Sequence, residues 1–348
     1  MFCPKCGSKN ADGAAFCGSC GERLNAAGAA KKNAAPVVTT TATGGVTTGD
    51  GATAAAAKKT GRLVGIAFAV VLVVAAVIAF LATNGFGLMG PSIPVKDTVN
   101  DYTWEELSQI SAEIAKASDE DAAVETAKRF NLTTEDGKLN GTQVKDVQLS
   151  DGMSAQVQIA GFAHDDRTDG GKAGITFIFK DAIAEHAMNS YYTNAGGWEA
   201  SQMRSWLASD VMAILPDDLK GSIVSVDKLT NNAGETESAS SVTATSDKLW
   251  LYSSTELWGN IEWCSSSYYN EILNAEGSEY KLFRDMDVDS DGSNGILVKM
   301  IDGTSCYWWE RSPYLNYSSA FYVVNIDGYP NDGDHAAIGH GVVPGFCI

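Results

Sequence analysis

The sequence divides around residues 63–81, which read LVGIAFAVVLVVAAVIAFL. This run has no charged residue, and as a helix rising about 1.5 Å per residue it would span roughly the 30 Å hydrocarbon core of a bilayer. A cleaved signal peptide fits less well, because a long segment precedes the run. The sequence therefore predicts one transmembrane helix at residues 63–82.

Charge differs sharply between the two sides of this run. The chain has 25 Lys or Arg and 43 Asp or Glu, of which residues 1–62 hold eight and three, leaving 17 and 40 for the remainder. Since basic residues mark the cytoplasmic side of membrane helices, we expect a single-pass protein of the cell membrane with a cytoplasmic N-terminus and an extracellular C-terminal domain. Nucleic acid is not expected as a partner, because the acidic part would repel it.

Two CxxC pairs lie within the first twenty residues, formed by Cys3, Cys6, Cys17 and Cys20. Four thiolates at this spacing match tetrahedral zinc, and a full set of four protein ligands indicates a structural metal. Iron held as in rubredoxin is the competing metal, but the cysteine pairs of that family lie much farther apart. The segment resembles the short zinc-ribbon modules at the N-termini of many bacterial membrane proteins. A contact with a cytoplasmic protein is its expected role.

Composition and periodicity predict the remaining boundaries. Residues 25–62 are rich in Ala, Thr and Gly with scattered Lys, and no helical or strand period is sustained there. The predicted organisation is a zinc ribbon at 1–24, a disordered basic linker at 25–62, a transmembrane helix at 63–82, a stalk at 83–100, a short helical segment at 101–140 and an α+β domain at 141–348.

Helix and strand signals alternate beyond residue 100. The sequence TWEE at 103–106 is a capping box, and Asp119 or Ser118 caps a second helix. Residues 181–188 and 198–211 are predicted to be helical, and NNAGETESASSVTATS at 231–246 is a long polar loop, part of the segment at roughly 230–296 that the resemblance described below implies to be irregular. Alternating patterns predict strands at 144–149 and 155–162, and a further strand is predicted at 175–179.

Several motifs of the C-terminal part occur in a recognisable order. They are GFAHDD at 161–166, AGITF at 173–177, GGWEASQMRSWL at 196–207, DKLWLYSSTELWG at 247–259, WWERSP at 308–313 and GVVPGF at 341–346. Together they resemble a domain family of unknown function from surface proteins of Gram-positive bacteria. That family is in turn similar to the C-type lectin-like fold of formylglycine-generating enzymes. The resemblance implies a C-type lectin-like α+β domain that binds ligands through its irregular segment. Members often have Arg where this chain has Val343.

Calcium is a candidate ligand of the acidic loop DMDVDSDG. Asp287, Asp289 and Asp291 alternate before Gly292, as in the first half of an EF-hand loop. The twelfth position is Val298 instead of the bidentate Glu, so a solvated acidic loop is the competing interpretation.

Aromatic residues of the irregular segment are candidates for ligand contact. Flat ring faces suit sugar rings and peptides, and core packing is the alternative for each of them. The candidates are Trp258, Trp263, Tyr268 and Tyr269.

Catalytic signals are weaker. His164 beside Asp165 suggests acid–base chemistry, but no diagnostic spacing supports it, so turn and capping roles are expected. Formylglycine-generating enzymes use a cysteine pair with copper, yet no local motif of that family surrounds Cys264, Cys306 or Cys347. A disulfide between Cys306 and Cys347 is the commoner outcome for a domain outside the cell.

These observations favour a membrane-anchored, non-enzymatic surface protein. Its outer domain would bind a glycan, a cell-wall component or a surface protein, with zinc as structural cofactor and calcium as a second candidate. One alternative is a transmembrane signalling or assembly component whose zinc ribbon docks a cytoplasmic partner. The other is an oxidase of the formylglycine-generating type.

Overall fold

The computed structural model describes Lys9, residues 93–315 and residues 317–348. The chain divides into two compact units, Met1–Ser92 and Ile93–Ile348. Every helix and strand given below belongs to the second unit.

The predicted membrane arrangement is corrected. Within the part of the chain that the structure describes, no helix is long and apolar enough to cross a bilayer, and the longest helix there, Trp104–Ile114, has 11 residues against the about 20 that a span needs. The predicted transmembrane helix at 63–82 lies outside the described residues, as do the linker at 25–62 and, apart from Lys9, the ribbon at 1–24. The single-pass arrangement and the extracellular location therefore have no support.

The described residues form a β-rich domain with short helices. The helices are α1 Trp104–Ile114, α2 Glu120–Lys128, α3 Gln202–Trp206, α4 Met212–Ile214, α5 Asp217–Ser222, α6 Ser254–Trp258, α7 Ser267–Asn274 and α8 Lys281–Asp285. The strands are β1 Val144–Gln148, β2 Ser154–Phe162, β3 Ile175–Phe179, β4 Ala184–Ala187, β5 Val226–Asn231, β6 Val242–Asp247, β7 Lys299–Ile301, β8 Thr304–Cys306, β9 Trp308–Pro313, β10 Ala320–Val324, β11 Pro330–His335, β12 Gly339–Val342 and β13 Gly345–Cys347.

Local sequence signals explain the two N-terminal helices, whose prediction is confirmed. The Thr103 side chain accepts a hydrogen bond from the Glu106 amide, and the Glu106 carboxylate accepts one from the Thr103 amide, so both halves of the capping box form. Asp119 caps α2 by accepting from the Ala122 amide. Helix α1 buries its apolar face, which consists of Trp104, Leu107, Ile110 and Ile114.

Two sheets form the body of the domain. The first has the order β1-β2-β3-β13 with antiparallel pairing throughout, and all five residues of β3 are buried. The second has the order β11-β10-β9-β12-β4, in which β9 and β12 are parallel. Strands β5 and β6 form one separate hairpin, and β7 and β8 form another.

Strand β9 carries the WWERSP motif through the core, and all six residues are buried. The indole N–H of Trp308 donates to the Leu297 carbonyl at 2.9 Å, and that of Trp309 donates to the His186 carbonyl at 2.9 Å. The two rings reach different elements, as expected for neighbours in a strand.

Some predicted elements differ from the structure. Residues 181–188 were expected to be helical, but 184–187 form β4, because they pair with β12 from the far end of the domain. The helix expected at 198–211 is interrupted, since a π-helical turn at Leu207–Val211 separates α3 from α4. The irregular segment at 230–296 contains β6 and three short helices.

Candidate functional site

Four charged side chains form a buried chain of alternating charge in the core. Arg311 of β9 donates from two guanidinium nitrogens to the two carboxylate oxygens of Glu256 in α6. Lys228 of β5 places its Nζ 2.5 Å from Glu256 Oε1 and 2.7 Å from Asp165 Oδ1. All four side chains are at least 96% buried. We call this group the ionic network.

Electrostatics keep both carboxylates of the ionic network charged. Burial alone would raise the pKa of Asp165, but the Lys228 ammonium holds it well below the usual range. Burial likewise opposes the charge of Glu256, and attraction to Arg311 and Lys228 lowers its pKa. Two cations therefore balance two anions, which is the condition under which buried charge is tolerated.

Two further glutamates lie beside the ionic network without a full counter-charge. Burial raises the pKa of Glu276 and of Glu310 to about 7. Ser312 donates its hydroxyl to Glu276, and Ser254 donates to Glu310 at 2.5 Å. These carboxyl groups change protonation near neutral pH.

A cleft of about 270 Å³ opens onto the ionic network. His164 stacks on Tyr280 with ring centroids 3.9 Å apart. Its Nε2 lies 3.0 Å from the Ser278 hydroxyl oxygen and 3.1 Å from the Ser278 carbonyl oxygen, and its Nδ1 lies 3.6 Å from Asp165 Oδ2. The polar lining includes Asp166, Lys172, Asp227, Lys228, Glu256 and Glu276.

Three exposed tyrosine side chains lie in two loops that backbone and side-chain hydrogen bonds join. Tyr191, Tyr192 and Tyr317 are 76, 64 and 62% exposed, more than any other large apolar side chain in the described chain. The Tyr192 ring lies 4.9 Å from the His335 ring, and His335 Nδ1 is 3.0 Å from the Ser319 hydroxyl. We call Tyr191, Tyr192, Tyr317 and His335 the tyrosine patch.

Asn194 fixes the two loops that carry the tyrosines. Its buried side-chain amide donates to three carbonyl oxygens, and its backbone N–H donates to the Ser318 carbonyl at 2.7 Å. The three acceptors are Tyr314 at 3.1 Å, Tyr317 at 2.9 Å and Ala320 at 2.8 Å. Asn194 therefore joins the loop that carries Tyr191 and Tyr192 to the loop that carries Tyr317.

The aromatic residues predicted to contact ligand do not form one surface. Trp258 is buried, and Trp263 is half-buried with its ring edge against Tyr322. Tyr268 is exposed, whereas its neighbour Tyr269 is half-buried. Only Tyr268 has the exposure that ligand contact needs.

The calcium prediction has no support. No group of three or more His, Cys, Asp or Glu side chains in residues 93–315 and 317–348 is arranged to hold a metal ion. In the acidic loop, Asp289 Oδ1 accepts from the Asp291 amide at 2.8 Å, and Asn294 donates to the Asp289 carbonyl at 2.8 Å. Asp287, Asp289 and Asp291 thus belong to a loop held by its own hydrogen bonds.

The predicted disulfide between Cys306 and Cys347 does not form, because the two thiols face different partners. Cys347 lies in the core with its Sγ 3.3 Å from Asp165 Oδ2, and Cys306 faces the Lys299 carbonyl at 3.5 Å. Cys264 is also a free thiol. Burial raises the pKa of Cys264 and of Cys306 to about 11.

Comparison with known families supports the resemblance to a domain family of unknown function that the C-terminal motifs indicated. A profile described as a domain of unknown function, DUF6273, matches residues 173–348, just over half of the chain. The chain belongs to the DUF6273 family.

A zinc-ribbon profile matches residues 2–24, which confirms the predicted zinc ribbon and supports structural zinc at Cys3, Cys6, Cys17 and Cys20. No curated protein and no solved structure matches the chain, so the similarity to the C-type lectin-like fold gains no support.

The WWERSP motif of the DUF6273 domain has a clear structural role, since Glu310, Arg311 and Ser312 are all buried around the ionic network. Its partners Asp165 and Glu256 lie in GFAHDD and DKLWLYSSTELWG. The signal that sequence reasoning missed was therefore the presence of charged residues next to large apolar ones in each of these three motifs. The tyrosine patch left no such signal, because its residues come from three separate polar segments.

Proposed function

We propose that the DUF6273 domain of this chain binds a neutral carbohydrate and that the tyrosine patch is its contact surface. The observation that carries the proposal is the exposure of three tyrosine rings on two loops that Asn194 holds together. Exposed aromatic groupings of this kind mark interaction sites, and an aromatic face with a polar tip suits a ligand that is apolar on one side and hydroxylated at its edge.

Polar groups around the tyrosine patch favour a hydroxyl-rich ligand over an apolar one. Ser190, Thr193, Ser318 and Ser319 lie in the same two loops, and the His335 ring adds a further donor or acceptor. The acidic balance of the domain disfavours anionic polymers, which supports a neutral sugar. Because the loops are already ordered, binding would lose little conformational entropy.

The oxidase alternative is less well supported. A reactive cysteine needs a lowered pKa, and burial instead raises the pKa of Cys264 and of Cys306 to about 11. At neutral pH these side chains are protonated thiols.

An array of neutral oligosaccharides probed with the full chain tests the proposal. The double variant Tyr191→Ala and Tyr192→Ala should weaken binding by about 5- to 150-fold, since each aromatic contact is worth about 0.5–1.5 kcal/mol. Tyr268→Ala is the matched control, because Tyr268 is an exposed tyrosine outside the patch. Absence of binding to every neutral sugar, or equal losses in the double variant and the control, would contradict the proposal.

A further inference from the structure

The cleft above the ionic network is lined by a serine, a histidine and a carboxylate, with the histidine between the other two. We infer that Ser278 and His164, oriented by Asp165, form a hydrolytic site for small neutral esters. This inference goes beyond carbohydrate binding, does not use the tyrosine patch, and differs from the turn and capping role expected for His164.

The distances match the roles that ester hydrolysis requires. Ser278 is exposed, and its hydroxyl oxygen lies 3.0 Å from His164 Nε2, which is within hydrogen-bonding reach of a general base. His164 Nδ1 is buried without a hydrogen-bond partner and lies 3.6 Å from Asp165 Oδ2. Catalytic hydrogen bonds are often long before substrate binds, so this separation suits an orienting carboxylate.

The charge of Asp165 selects the required tautomer of His164. Asp165 is ionised, because Lys228 and hydrogen bonds hold its charged form. With the proton on Nε2, His164 would donate to the Ser278 carbonyl but would turn an unprotonated Nδ1 towards a carboxylate. With the proton on Nδ1, that repulsion becomes an attraction, and the Nε2 lone pair accepts from the Ser278 hydroxyl while it also lies 3.1 Å from the uncharged Ser278 carbonyl oxygen.

Two backbone amides of the loop beside Ser278 would be the donors for a developing oxyanion. The backbone amides of Ser278 and Glu279 have no hydrogen-bond acceptor among the described residues. The preceding Gly277 has a φ of +146°, and a Cβ there would meet Glu256 at 3.2 Å. Glycine is thus needed for the backbone to turn at this point.

The cleft also limits the substrate. Its volume of about 270 Å³ suits a short acyl group. Carboxylates outnumber the two lysines in its lining, so an anionic ester would be repelled and a neutral one accepted.

The chemistry follows from these positions. Ser278 Oγ attacks the ester carbonyl carbon while His164 Nε2 takes the hydroxyl proton, and the amides of the loop stabilise the oxyanion. The C–O bond to the alcohol breaks, and the alcohol leaves with the proton from His164. Water then attacks the acyl-serine with His164 as base, which releases the carboxylic acid and restores Ser278.

Labelling of the full chain with a neutral alkyl fluorophosphonate tests the site. Attack by Ser278 forms an O–P bond and expels fluoride, and mass spectrometry should place the adduct on Ser278. His164→Gln should slow labelling and the hydrolysis of p-nitrophenyl acetate by at least about 100-fold. Asp165→Asn should slow labelling at least about tenfold, and where that variant does not fold His164→Gln decides alone.

Ser265→Ala is the matched control, since Ser265 is an exposed serine in the loop before α7. It should label and hydrolyse like the unaltered chain, whereas Ser278→Ala should do neither and should keep its carbohydrate binding. Absence of an adduct on Ser278, or labelling that His164→Gln leaves unchanged, would overturn the inference.

Discussion

Replacing Arg311 with Met tests whether the ionic network holds the domain together. The five N–H groups of the Arg311 guanidinium are shared among six acceptor oxygens inside the core, two of them on Glu256. Met has a similar length and no charge, so Arg311→Met removes the cation while filling much of its space. Within residues 93–315 and 317–348, Lys228 would then be the one Lys or Arg paired with Glu256 and Asp165.

The expected loss follows from this imbalance. Removing one partner of a buried ion pair costs about 3–5 kcal/mol, and the carbonyl acceptors of Arg311 lose their donor as well. The free energy of unfolding of a domain is only about 5–15 kcal/mol, so Arg311→Met should remove a large part of it. For a domain of this size, the midpoint of thermal unfolding should fall by roughly 6–20 °C.

Tryptophan fluorescence is the suitable measurement, because all eight tryptophans lie between residues 104 and 309 and so report on the domain alone. Arg284→Met is the control, since the ion pair of Arg284 with Glu120 is about half exposed and should contribute less than about 1 kcal/mol. If Arg311→Met unfolds at the same midpoint as Arg284→Met, the ionic network does not stabilise the domain.

Two further predictions concern protonation and metal. Burial raises the pKa of Glu310 from 4.5 to about 7, so the stability that its protonated form contributes is present at low pH and is lost as the pH rises through about 7. In urea denaturation at pH 5 and pH 8, Glu310→Gln should reduce this loss of stability by up to about 3 kcal/mol. An unchanged pH dependence would refute the assignment. Cys17→Ser should lower the bound zinc, measured by elemental analysis, from about one ion per chain to none. The unfolding midpoint measured by tryptophan fluorescence should stay unchanged. Retained zinc would argue against the four-cysteine site.

Local signals were enough to predict part of the fold. The capping box at Thr103 and the cap at Asp119 determine helices α1 and α2, because those hydrogen bonds join residues only three apart. Strand β3 was predicted at its observed bounds, since a short run of β-branched and aromatic residues is typical of a buried strand. Strand β4 was missed because its state depends on pairing with β12, which no local pattern shows.

The candidate sites depended on long-range packing and were harder to predict. Trp258 was proposed as a ligand contact, yet it is buried, because an aromatic residue in a polar-looking segment gives no sign of its depth. His164 and Ser278 are 114 positions apart, so no spacing in the sequence could join them. The zinc cysteines were recognisable because all four ligands lie within one short segment.

The position of β13 has a consequence for the order in which the domain forms. Strand β3 lies between β2 and β13, and its far edge stays open until β13 has been made, about 165 residues later. At about 5–20 residues per second, the ribosome would need roughly 8–30 s to supply the missing strand. During that interval β3 presents unpaired backbone groups on a strand in which four of the five side chains are apolar, which favours intermolecular pairing. Aggregation during synthesis should therefore depend on how well this edge is shielded by a chaperone.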